Sequence, residues 1–383
     1  MNRNTRPTAG LALVALLGGA GIAQADSSTQ DEIDALRTRI DVLEARQQSA
    51  ATGNIPGDFQ IGGTVLDFYG YIKADFFYDF DFLQGDTAFV NAIGEPGNAT
   101  DGQFGSTVRQ SRFGLRTTTQ TDFGELKAQL ELDLFASGGQ SNLRLRHANI
   151  QIGDHWTIGQ TWTNFMPLNH YPTSVEFNGP VGITFARVPQ VRYTGTAGNG
   201  VEYSFSIEEN AASSSDPVLT GALSYTGDRF SARAAVLGGN VTVGGTEVDQ
   251  TGFTASGGFT PWAGGLFQVT YTTGEALGPL FIGLGDAIVG GQANDVDGYT
   301  VEFRQDVGSN WNFGIGYGRE EYDLPTSTGT LNFTELETLH VNAFYSPTDN
   351  LTFGAEYIFG ERTSSTGATA NGDRVQFSAQ LNF

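Results

Sequence analysis

Polar and apolar residues alternate without a break from Arg374 to Phe383, the last ten residues of the chain. Successive side chains of a β-strand point to opposite faces, so the apolar residues would share one face and the polar residues the other. In a membrane barrel, such a strand has one face against lipid and the other against the lumen. A soluble sheet with one wet face gives the same alternation, so the pattern must be tested along the whole chain.

The alternation recurs throughout the chain. Between Leu126 and Leu134, for example, five apolar residues alternate with four polar ones. The strands that we predict in this way span residues 65–80, 107–119, 123–136, 142–153, 155–161, 184–195, 199–208, 217–227, 229–238, 250–260, 265–274, 297–307, 310–321, 334–346, 350–361 and 373–383. The connections alternate between short turns and longer segments, as periplasmic turns and extracellular loops do. The sequence therefore predicts an all-β fold, a transmembrane antiparallel β-barrel of about 16 strands that spans residues 65–383.

Aromatic residues lie near several predicted strand ends and would form the girdles at the two membrane interfaces. We assign Phe68, Tyr69, Tyr345, Phe359 and Phe383 to these girdles. The terminal strand is expected to pair with the strand near Val65 and so close the barrel without a free edge.

Residues 1–25 have the features of a secretory signal peptide. Basic Arg3 and Arg6 precede an apolar run from Leu11 to Ile22, and Ala23-Gln24-Ala25 is a small-residue cleavage signature. The alternative is a membrane-anchoring helix, but the run is shorter than the roughly 18 apolar residues that a span needs. The chain contains no cysteine, which fits an exported protein without a disulfide framework. We therefore expect export and a place in the bacterial outer membrane.

Residues 26–48 are predicted to form a short coiled-coil helix, followed by a linker at 49–64. Ile33, Leu36, Ile40 and Leu43 fall at a and d positions of two heptads, and Arg39 and Glu44 are placed for interchain pairs. The string from Arg39 to Glu44 resembles a pattern of parallel three-stranded coils, whereas isoleucine at a with leucine at d favours two strands. The stoichiometry stays open, as does the alternative that this helix lies on the barrel rim. The predicted oligomerisation residues are Ile33, Leu36, Arg39, Ile40, Leu43 and Glu44.

The net charge of the chain is −22, which makes nucleic acid an unlikely class of partner. The acids concentrate in the first loop and the later strands, whereas basic residues gather between Arg109 and Arg192. A long segment at about 162–183 follows the fifth strand, and long loops of this kind are usually functional. We predict that it is a constriction loop inside the barrel. The predicted pore-lining residues are Arg109, Arg112, Arg116, Lys127, Arg144, Arg146, His147, Glu176, Arg187 and Arg192.

Guanidinium groups suit carboxylates because they donate paired hydrogen bonds in one plane, and a ring of arginines in a narrow pore favours anions. The alternative is that these arginines only balance acids such as Glu131 and Asp133, or bind lipopolysaccharide at the rim. Arg144 and Arg146 share the phase of Ile150, which is expected to face outward. A β-bulge near His147 is therefore needed to turn both arginines inward.

The sequence offers no pattern for catalysis, a metal or a cofactor. His147, His155, His170 and His340 are too scattered for metal-ligand spacing. His147 and Asn149 share a strand face, but no serine lies two residues away to complete a hydrolase site. We therefore expect no enzyme activity, no metal and no cofactor.

Five short strings resemble those of the DcaP-like outer-membrane porins, and the likeness covers nearly the whole mature chain. They are Gly70-Tyr71-Ile72-Lys73-Ala74-Asp75, Arg109-Gln110-Ser111-Arg112-Phe113-Gly114-Leu115-Arg116, Leu145-Arg146-His147-Ala148, Gly159-Gln160-Thr161-Trp162-Thr163-Asn164-Phe165-Met166 and Phe177-Asn178-Gly179-Pro180. The resemblance implies a homotrimeric porin whose third extracellular loop folds into the pore, and small anions such as dicarboxylates as substrates. The acidic net charge departs from a simple anion channel.

The sequence thus predicts an outer-membrane porin for passive diffusion of small hydrophilic solutes, in contact with outer-membrane lipid and lipopolysaccharide. One alternative is a structural barrel that anchors a periplasmic coiled coil. Another is a soluble exported β-protein that binds polysaccharide.

Overall fold

The structure is a computed structural model that describes residues 59–136, 142–212, 214–328 and 331–383. The predicted signal peptide, the coiled-coil residues from Ile33 to Glu44 and the linker up to residue 58 lie outside these residues. No helix within the described ranges is long and apolar enough to cross a bilayer.

The described residues form β-strands joined by turns, loops and three short 3-10 helices. The strands are β1 (Phe59–Ile61), β2 (Thr64–Asp79), β3 (Gln103–Thr107), β4 (Arg112–Thr121), β5 (Gly124–Asp133), β6 (Arg144–Ile152), β7 (Trp156–Trp162), β8 (Arg187–Gly198), β9 (Val201–Glu208), β10 (Val218–Thr226), β11 (Phe230–Val243), β12 (Thr246–Phe259), β13 (Gly265–Glu275), β14 (Ile288–Val289), β15 (Gln292–Ala293), β16 (Asp295–Val307), β17 (Trp311–Thr328), β18 (Leu331–Tyr345), β19 (Leu351–Ser364) and β20 (Thr369–Asn382). The 3-10 helices are Val90–Ala92, Leu168–His170 and Gly278–Leu280.

Sixteen of these strands form a closed antiparallel barrel, as predicted. The ring closes between β2 and β20, where Tyr71 pairs with Asn382 and Asp79 with Arg374. Gly70 and Phe383 exchange both backbone hydrogen bonds at 3.1 Å. On its other side β2 pairs with β4 and then with the short β3. The ring therefore has no open edge, which is what a barrel in hydrocarbon requires.

The predicted faces of the terminal strand are confirmed. Phe377 and Leu381 are exposed on the outer surface, whereas Arg374 and Gln376 are buried inside the barrel. One girdle assignment is wrong: Tyr69 is 1% exposed and faces the lumen, where its hydroxyl donates a hydrogen bond to Glu131 at 2.9 Å. Its neighbour Phe68 faces outward, as assigned, because neighbouring strand residues point to opposite faces.

The strand boundaries differ from the predictions mainly at the end of the barrel opposite the short turns. The hairpin of β11 and β12 extends to a two-residue turn at Gly244 and Gly245, whose positive φ angles of 60° and 85° suit such a turn. The hairpin of β17 and β18 is also longer than predicted. The strand predicted at 107–119 begins at Arg112 as β4, and the separate strand β3 was not predicted apart from its last residue. β1 lies within the predicted linker. The predicted short connections are short: 122–123, 153–155, 199–200, 227–229, 260–264, 308–310 and 346–350.

Three long connections fold into the barrel. We call residues 80–102, 163–186 and 276–294 the first, second and third inward loops. Buried apolar side chains from all three loops pack together in one cluster that also includes side chains of the inner wall. The cluster contains Val90 and Ile93 of the first loop, Phe165 and Ile183 of the second, and Leu277 and Phe281 of the third. The loops thus share a hydrophobic core inside the barrel, which burial of apolar surface stabilises.

Candidate functional site

The bulge required by the sequence is present in β6. Leu145 pairs with Leu132 and His147 pairs with Glu131, so Arg146 is an extra residue without a partner in the ladder. Leu145 is 41% exposed on the outer surface, whereas Arg146 and His147 are buried inside. Two consecutive side chains therefore face inward, which a regular strand does not allow.

Two carboxylates of β5, Glu131 and Asp133, lie beneath the basic side chains of the site. Arg146 donates to Glu131 from Nε at 2.7 Å and to Asp133 from Nη1 at 2.9 Å. Arg144 donates two hydrogen bonds to Asp133, at 2.9 and 2.6 Å, in the planar fork that guanidinium and carboxylate groups prefer. Arg144 and Arg146 thus form ion pairs with nearby acids.

Arg112 and His147 complete the surroundings of Glu131. The Nε of Arg112 lies 3.3 Å from Glu131, and its guanidinium carbon lies 5.1 Å from the centre of the Tyr71 ring. His147 shares a hydrogen bond of 3.0 Å with the Thr161 hydroxyl, and its Nε2 lies 3.9 Å from Glu131. Arg112 faces inward, on the opposite face of the strand from its exposed neighbour Phe113.

Arg187, at the start of β8, has no carboxylate partner within the described part of the chain. Its guanidinium carbon lies 4.4 Å from the Trp162 ring and 5.5 Å from the Phe185 ring, and its buried Nη1 makes no hydrogen bond. The guanidinium carbon of Arg146 lies 5.8 Å from the same Trp162 ring. We call Arg112, Arg144, Arg146, Arg187, Glu131 and Asp133 the basic cluster, in which four guanidinium groups outnumber two carboxylates.

Aromatic rings surround the basic cluster. Phe135 and Phe177 lie 5.2 and 5.5 Å from the Arg144 guanidinium, and their own ring centres are 4.7 Å apart. Phe185 lies 5.0 Å from Trp162 and 5.7 Å from Phe177. Apolar walls lower the local dielectric constant, so the charge of the cluster acts more strongly on a nearby ion than it would in open water.

Three of the predicted pore-lining residues pair with acids other than Glu131 and Asp133. Arg109 donates to Asp86 in the first inward loop at 2.8 Å. Arg116 stacks on the Tyr69 ring at 3.8 Å and lies 3.7 Å from Asp67. Lys127, which is 44% exposed near the short turn before β5, pairs with Glu125 at 2.7 Å.

Arg192 and Arg233 contact the first residues of the second inward loop. Arg192 donates to the Trp162 carbonyl at 2.5 Å, and Arg233 donates to the Asn164 carbonyl at 2.5 Å. Each has a buried Nε that makes no hydrogen bond. The sequence analysis missed Arg233, although its position between outward Ala232 and Ala234 in β11 was a usable signal of an inward side chain.

Glu176 does not face open lumen, because it is 2% exposed and its carboxylate binds loop backbone. It accepts hydrogen bonds from the N–H groups of Ala88 at 2.9 Å, Asn178 at 2.6 Å and Gly179 at 3.0 Å. Burial raises the pKa of this carboxyl above its usual value. Glu176 thus joins the first inward loop to the second.

His170 attaches the second inward loop to the opposite wall. Its ring nitrogens lie 2.7 Å from the Ser256 hydroxyl and 2.8 Å from the Ser231 hydroxyl. Burial, with a smaller contribution from the charge of Arg233, lowers the pKa of His170 to about 4. His170 is therefore neutral at pH 7 and suited to hydrogen bonds with two hydroxyl groups.

Several acids on the inner wall accept hydrogen bonds from the backbone of the second inward loop. Glu208 accepts from the Asn164 N–H at 2.7 Å, Glu302 from the Thr173 N–H at 2.8 Å and Glu356 from the Glu176 N–H at 2.8 Å. Because these carboxylates are engaged by loop N–H groups, they do not make the basic side of the lumen attractive to cations. The acidic net charge is thus compatible with a locally basic passage. Among the described residues, no three His, Asp or Glu side chains come together as a metal site.

A closed sixteen-stranded barrel with an outward apolar surface, inward loops and a charged lumen defines an outer-membrane porin or channel. The model of the family described as DcaP outer membrane protein matches residues 32–212. The predicted resemblance to the DcaP-like family and the predicted outer-membrane location are confirmed. A search of curated proteins by sequence found no match.

Solved porin structures share this fold. The outer membrane channel DcaP of Acinetobacter baumannii aligns with a TM-score of 0.77 and 23% identity, over 85% of this chain and 100% of that one. The anion-selective porin from Comamonas acidovorans aligns with a TM-score of 0.61 and 14% identity, over 84% of this chain and 100% of that one. OmpT, an outer membrane protein of Vibrio cholerae, gives a TM-score of 0.58 and 17% identity over 85% and 100% of the two chains.

Proposed function

We propose that this porin allows passive diffusion of small hydrophilic solutes and favours small anions, with dicarboxylates as the class that the family resemblance implies. The observation that carries the proposal is Arg187, a guanidinium on the face of Trp162 whose buried Nη1 has no hydrogen-bond partner. A carboxylate in the passage would be attracted to the charge of this guanidinium, which no acid among the described residues neutralises.

The charge balance of the basic cluster supports the same preference. The four arginines of the cluster share two carboxylates, Glu131 and Asp133, which leaves two positive charges in excess. Such an excess in a narrow passage lowers the barrier for anions relative to cations. A neighbour in the same fold class bears the description anion-selective porin, although at 14% identity that likeness concerns the fold alone.

We further propose that the segment at about 162–183 acts as the constriction loop and narrows the passage beside the basic cluster. Trp162 and Phe177 contact arginines of the cluster, and wall acids hold the loop backbone at several points. No chemical step is involved, since a solute only has to bind weakly and leave.

Reversal potentials of single channels in a salt gradient test the selectivity. We expect anion preference for the wild-type protein and a reduced preference for Arg112→Ala combined with Arg116→Ala. Lys127→Ala combined with Arg229→Ala is the matched control, because this pair also removes two positive charges and lies near the short turns. Clear cation preference, unaffected by the double variant, would refute the anion pathway. No open conductance from pure protein would favour the structural-anchor alternative instead.

We also propose a homotrimer in contact with outer-membrane lipid and lipopolysaccharide. The heptad positions Ile33, Leu36, Ile40 and Leu43 and the pair Arg39 and Glu44 motivate this assembly. A solved form of Vibrio cholerae OmpT is described as a trimer. Light scattering in detergent should give the mass of three chains. The mass of a single chain would contradict the proposal.

A further inference from the structure

The third inward loop is joined to the other two at Glu320, a residue of β17 that the sequence analysis did not single out. Glu320 is 0% exposed. Its Oε1 accepts hydrogen bonds from the N–H of Gly182 in the second loop, at 3.0 Å, and from the N–H of Gly283 in the third loop, at 3.1 Å. The Asn91 side chain of the first loop donates to the Gly283 carbonyl at 2.7 Å. Gly283 is therefore bonded to the first loop through its carbonyl, and through its N–H to Glu320, which also bonds the second loop.

The Glu320 carboxylate is held by hydrogen bonds and not by a cation. Its Oε2 accepts a hydrogen bond from the Tyr322 hydroxyl at 3.1 Å, and no ion pair among the described residues includes it. A buried carboxylate is costly unless its oxygens are bonded, and bonds to an ionised acceptor are stronger than bonds between neutral groups. The two loop N–H groups and the Tyr322 hydroxyl therefore have the Glu320 carboxylate as their acceptor. The buried carboxylate in turn needs these donors in place of water.

The second and third inward loops also pair through their backbones next to Glu320. Thr184 and Phe281 form an antiparallel bridge, and the Phe185 N–H donates to the Leu280 carbonyl at 2.7 Å. The side chains of Ile183 and Phe281 are fully buried in the shared core. The two loops are thus a paired unit and not separate segments.

The barrel wall beneath this pair lacks side chains where the loops approach it. A Cβ atom at Gly318 would lie 1.8 Å from the Val181 carbonyl oxygen, and one at Gly298 would lie 2.3 Å from the Phe281 ring. Gly182 has a positive φ of 92°, and a Cβ there would lie 2.4 Å from the Tyr299 carbonyl oxygen. Glycine at these positions lets both loops lie against the strand backbones, which brings their N–H groups within reach of Glu320.

We propose that Glu320 is a positioning residue that sets the width of the passage by fixing the second and third inward loops to each other and to the wall. The third loop is then part of the constriction, although it lies far from the second loop in sequence. The proposal rests on the proposed porin function and extends it by naming what determines the pore width. A purely structural role for Glu320 would change the stability of the barrel but not the conductance of folded channels.

The test compares Glu320→Ala with the wild-type full chain in planar bilayers. We expect a higher single-channel conductance with more frequent fluctuations for Glu320→Ala, and a smaller change of the same sign for Glu320→Gln, which keeps one neutral acceptor. Thr272→Val is the matched control, because Thr272 is equally buried on the wall but its hydroxyl bonds to Thr254 and not to a loop. It should conduct as the wild type does.

A disulfide separates positioning from stability. Thr184 and Phe281 are directly opposite each other as a non-hydrogen-bonded pair of antiparallel strands, in which the Cα atoms are close enough for a disulfide. The chain has no native cysteine. In the Glu320→Ala background, oxidation of the Thr184→Cys, Phe281→Cys pair should restore the wild-type conductance, and reduction should raise it again. Restoration by a cross-link between the loops is not expected if Glu320 only stabilises the barrel.

Wild-type conductance for both Glu320→Ala and Glu320→Gln would overturn the proposal, as would a cross-link that leaves the conductance raised. Hydrogen exchange provides a readout that does not depend on conduction. The amides of Gly182 and Gly283 should exchange faster together in Glu320→Gln, whereas protection of either amide unchanged from the wild type would contradict joint fixation. Failure of the wild-type protein to conduct would count against the proposed function alone.

Discussion

Arg187 places its guanidinium 4.4 Å from the ring of Trp162, in a passage where the neighbouring arginines already have carboxylate partners. An arginine on an aromatic face stays charged while it leaves its in-plane donors free for a ligand. Trp162 ends β7 and Arg187 begins β8, and the two residues are paired in the ladder. The barrel thus fixes both partners on rigid strands, although the whole second inward loop separates them in sequence.

The first prediction concerns this contact. Arg187→Gln should lower anion preference, because the variant removes the one cluster arginine that has no carboxylate partner among the described residues. Reversal potentials in a salt gradient measure the change. Arg229→Gln is the control, since Arg229 lies exposed in a short turn and carries the same charge. Equal reversal potentials for both variants and the wild type would show that Arg187 does not contribute to selectivity.

The second prediction concerns the buried acid of the cluster. Glu131→Gln removes the carboxylate beside Arg112 and one of the two carboxylates bonded to Arg146. Breaking a buried ion pair of this kind typically costs about 3 kcal/mol or more. Urea unfolding of barrels reconstituted in lipid vesicles should show this loss of unfolding free energy. Glu125→Gln, at the exposed pair with Lys127, should unfold at the same urea concentration as the wild type. An unchanged midpoint for Glu131→Gln would mean that the pair adds nothing to stability.

The third prediction tests the bulge. Deletion of Arg146 combined with Glu131→Gln should still give a folded barrel. After the deletion, Leu145 and His147 are consecutive residues opposite Leu132 and residue 131, as in a regular ladder. Deletion of Thr254, in a strand paired without irregularity on both sides, should prevent folding, since it turns the residues beyond it to the wrong face. The fraction folded, measured by electrophoresis of heated and unheated samples, distinguishes the two. Equal folding of both deletions would contradict this account of the bulge.

The fourth prediction is a pH dependence of the second inward loop. The pKa of His170 is lowered to about 4, from an ordinary value of about 6.5, so the detached loop binds a proton more readily than the attached one. Attachment is therefore fully favourable above pH 6.5 and weakens as the pH falls from 6.5 to 4, by at most about 3 kcal/mol.

Hydrogen exchange of amides in residues 163–186 measures this attachment. Protection in the wild type should fall between pH 6.5 and 4 by more than in His170→Gln, whose amide does not titrate. Glu176 is present in both proteins, so its contribution cancels when their protection is compared. Its raised pKa makes attachment more favourable as the pH falls, opposite to the effect of His170. Parallel loss of protection in both proteins would exclude His170 as the cause.

The location of the strands was accessible from sequence because alternation is a local property. Each of Phe377, Leu381 and Phe113 faces outward as its parity required. Tyr69 was misplaced because an aromatic residue near a strand end suits either a girdle or the lumen, and only its hydrogen bonds to Glu131 and Gln129 decide between them. The extended hairpin at Gly244 was missed because its residues pair across the two strands although polar and apolar residues alternate only weakly there.

The candidate site was predicted in part. The need for a bulge beside Arg144 and Arg146 followed from parity alone, and the structure places the extra residue at Arg146. The inward position of Arg233 could have been found by the same reasoning. The role proposed for Glu320 could not be predicted, because no pattern near residue 320 indicates a contact with Gly182 or Gly283.

The class of fold, the number of strands, the faces of most strands and the closing pair between the first long strand and the last could all be predicted from the amino acids. These features follow from a side-chain period of two and from turn residues, both of which act over a few positions. The folded barrel was needed to show which arginines are neutralised, which wall acids bind the loop backbone and which loops share a core. Those outcomes depend on contacts between strands and loops distant in sequence, whose register is set by the closed barrel as a whole.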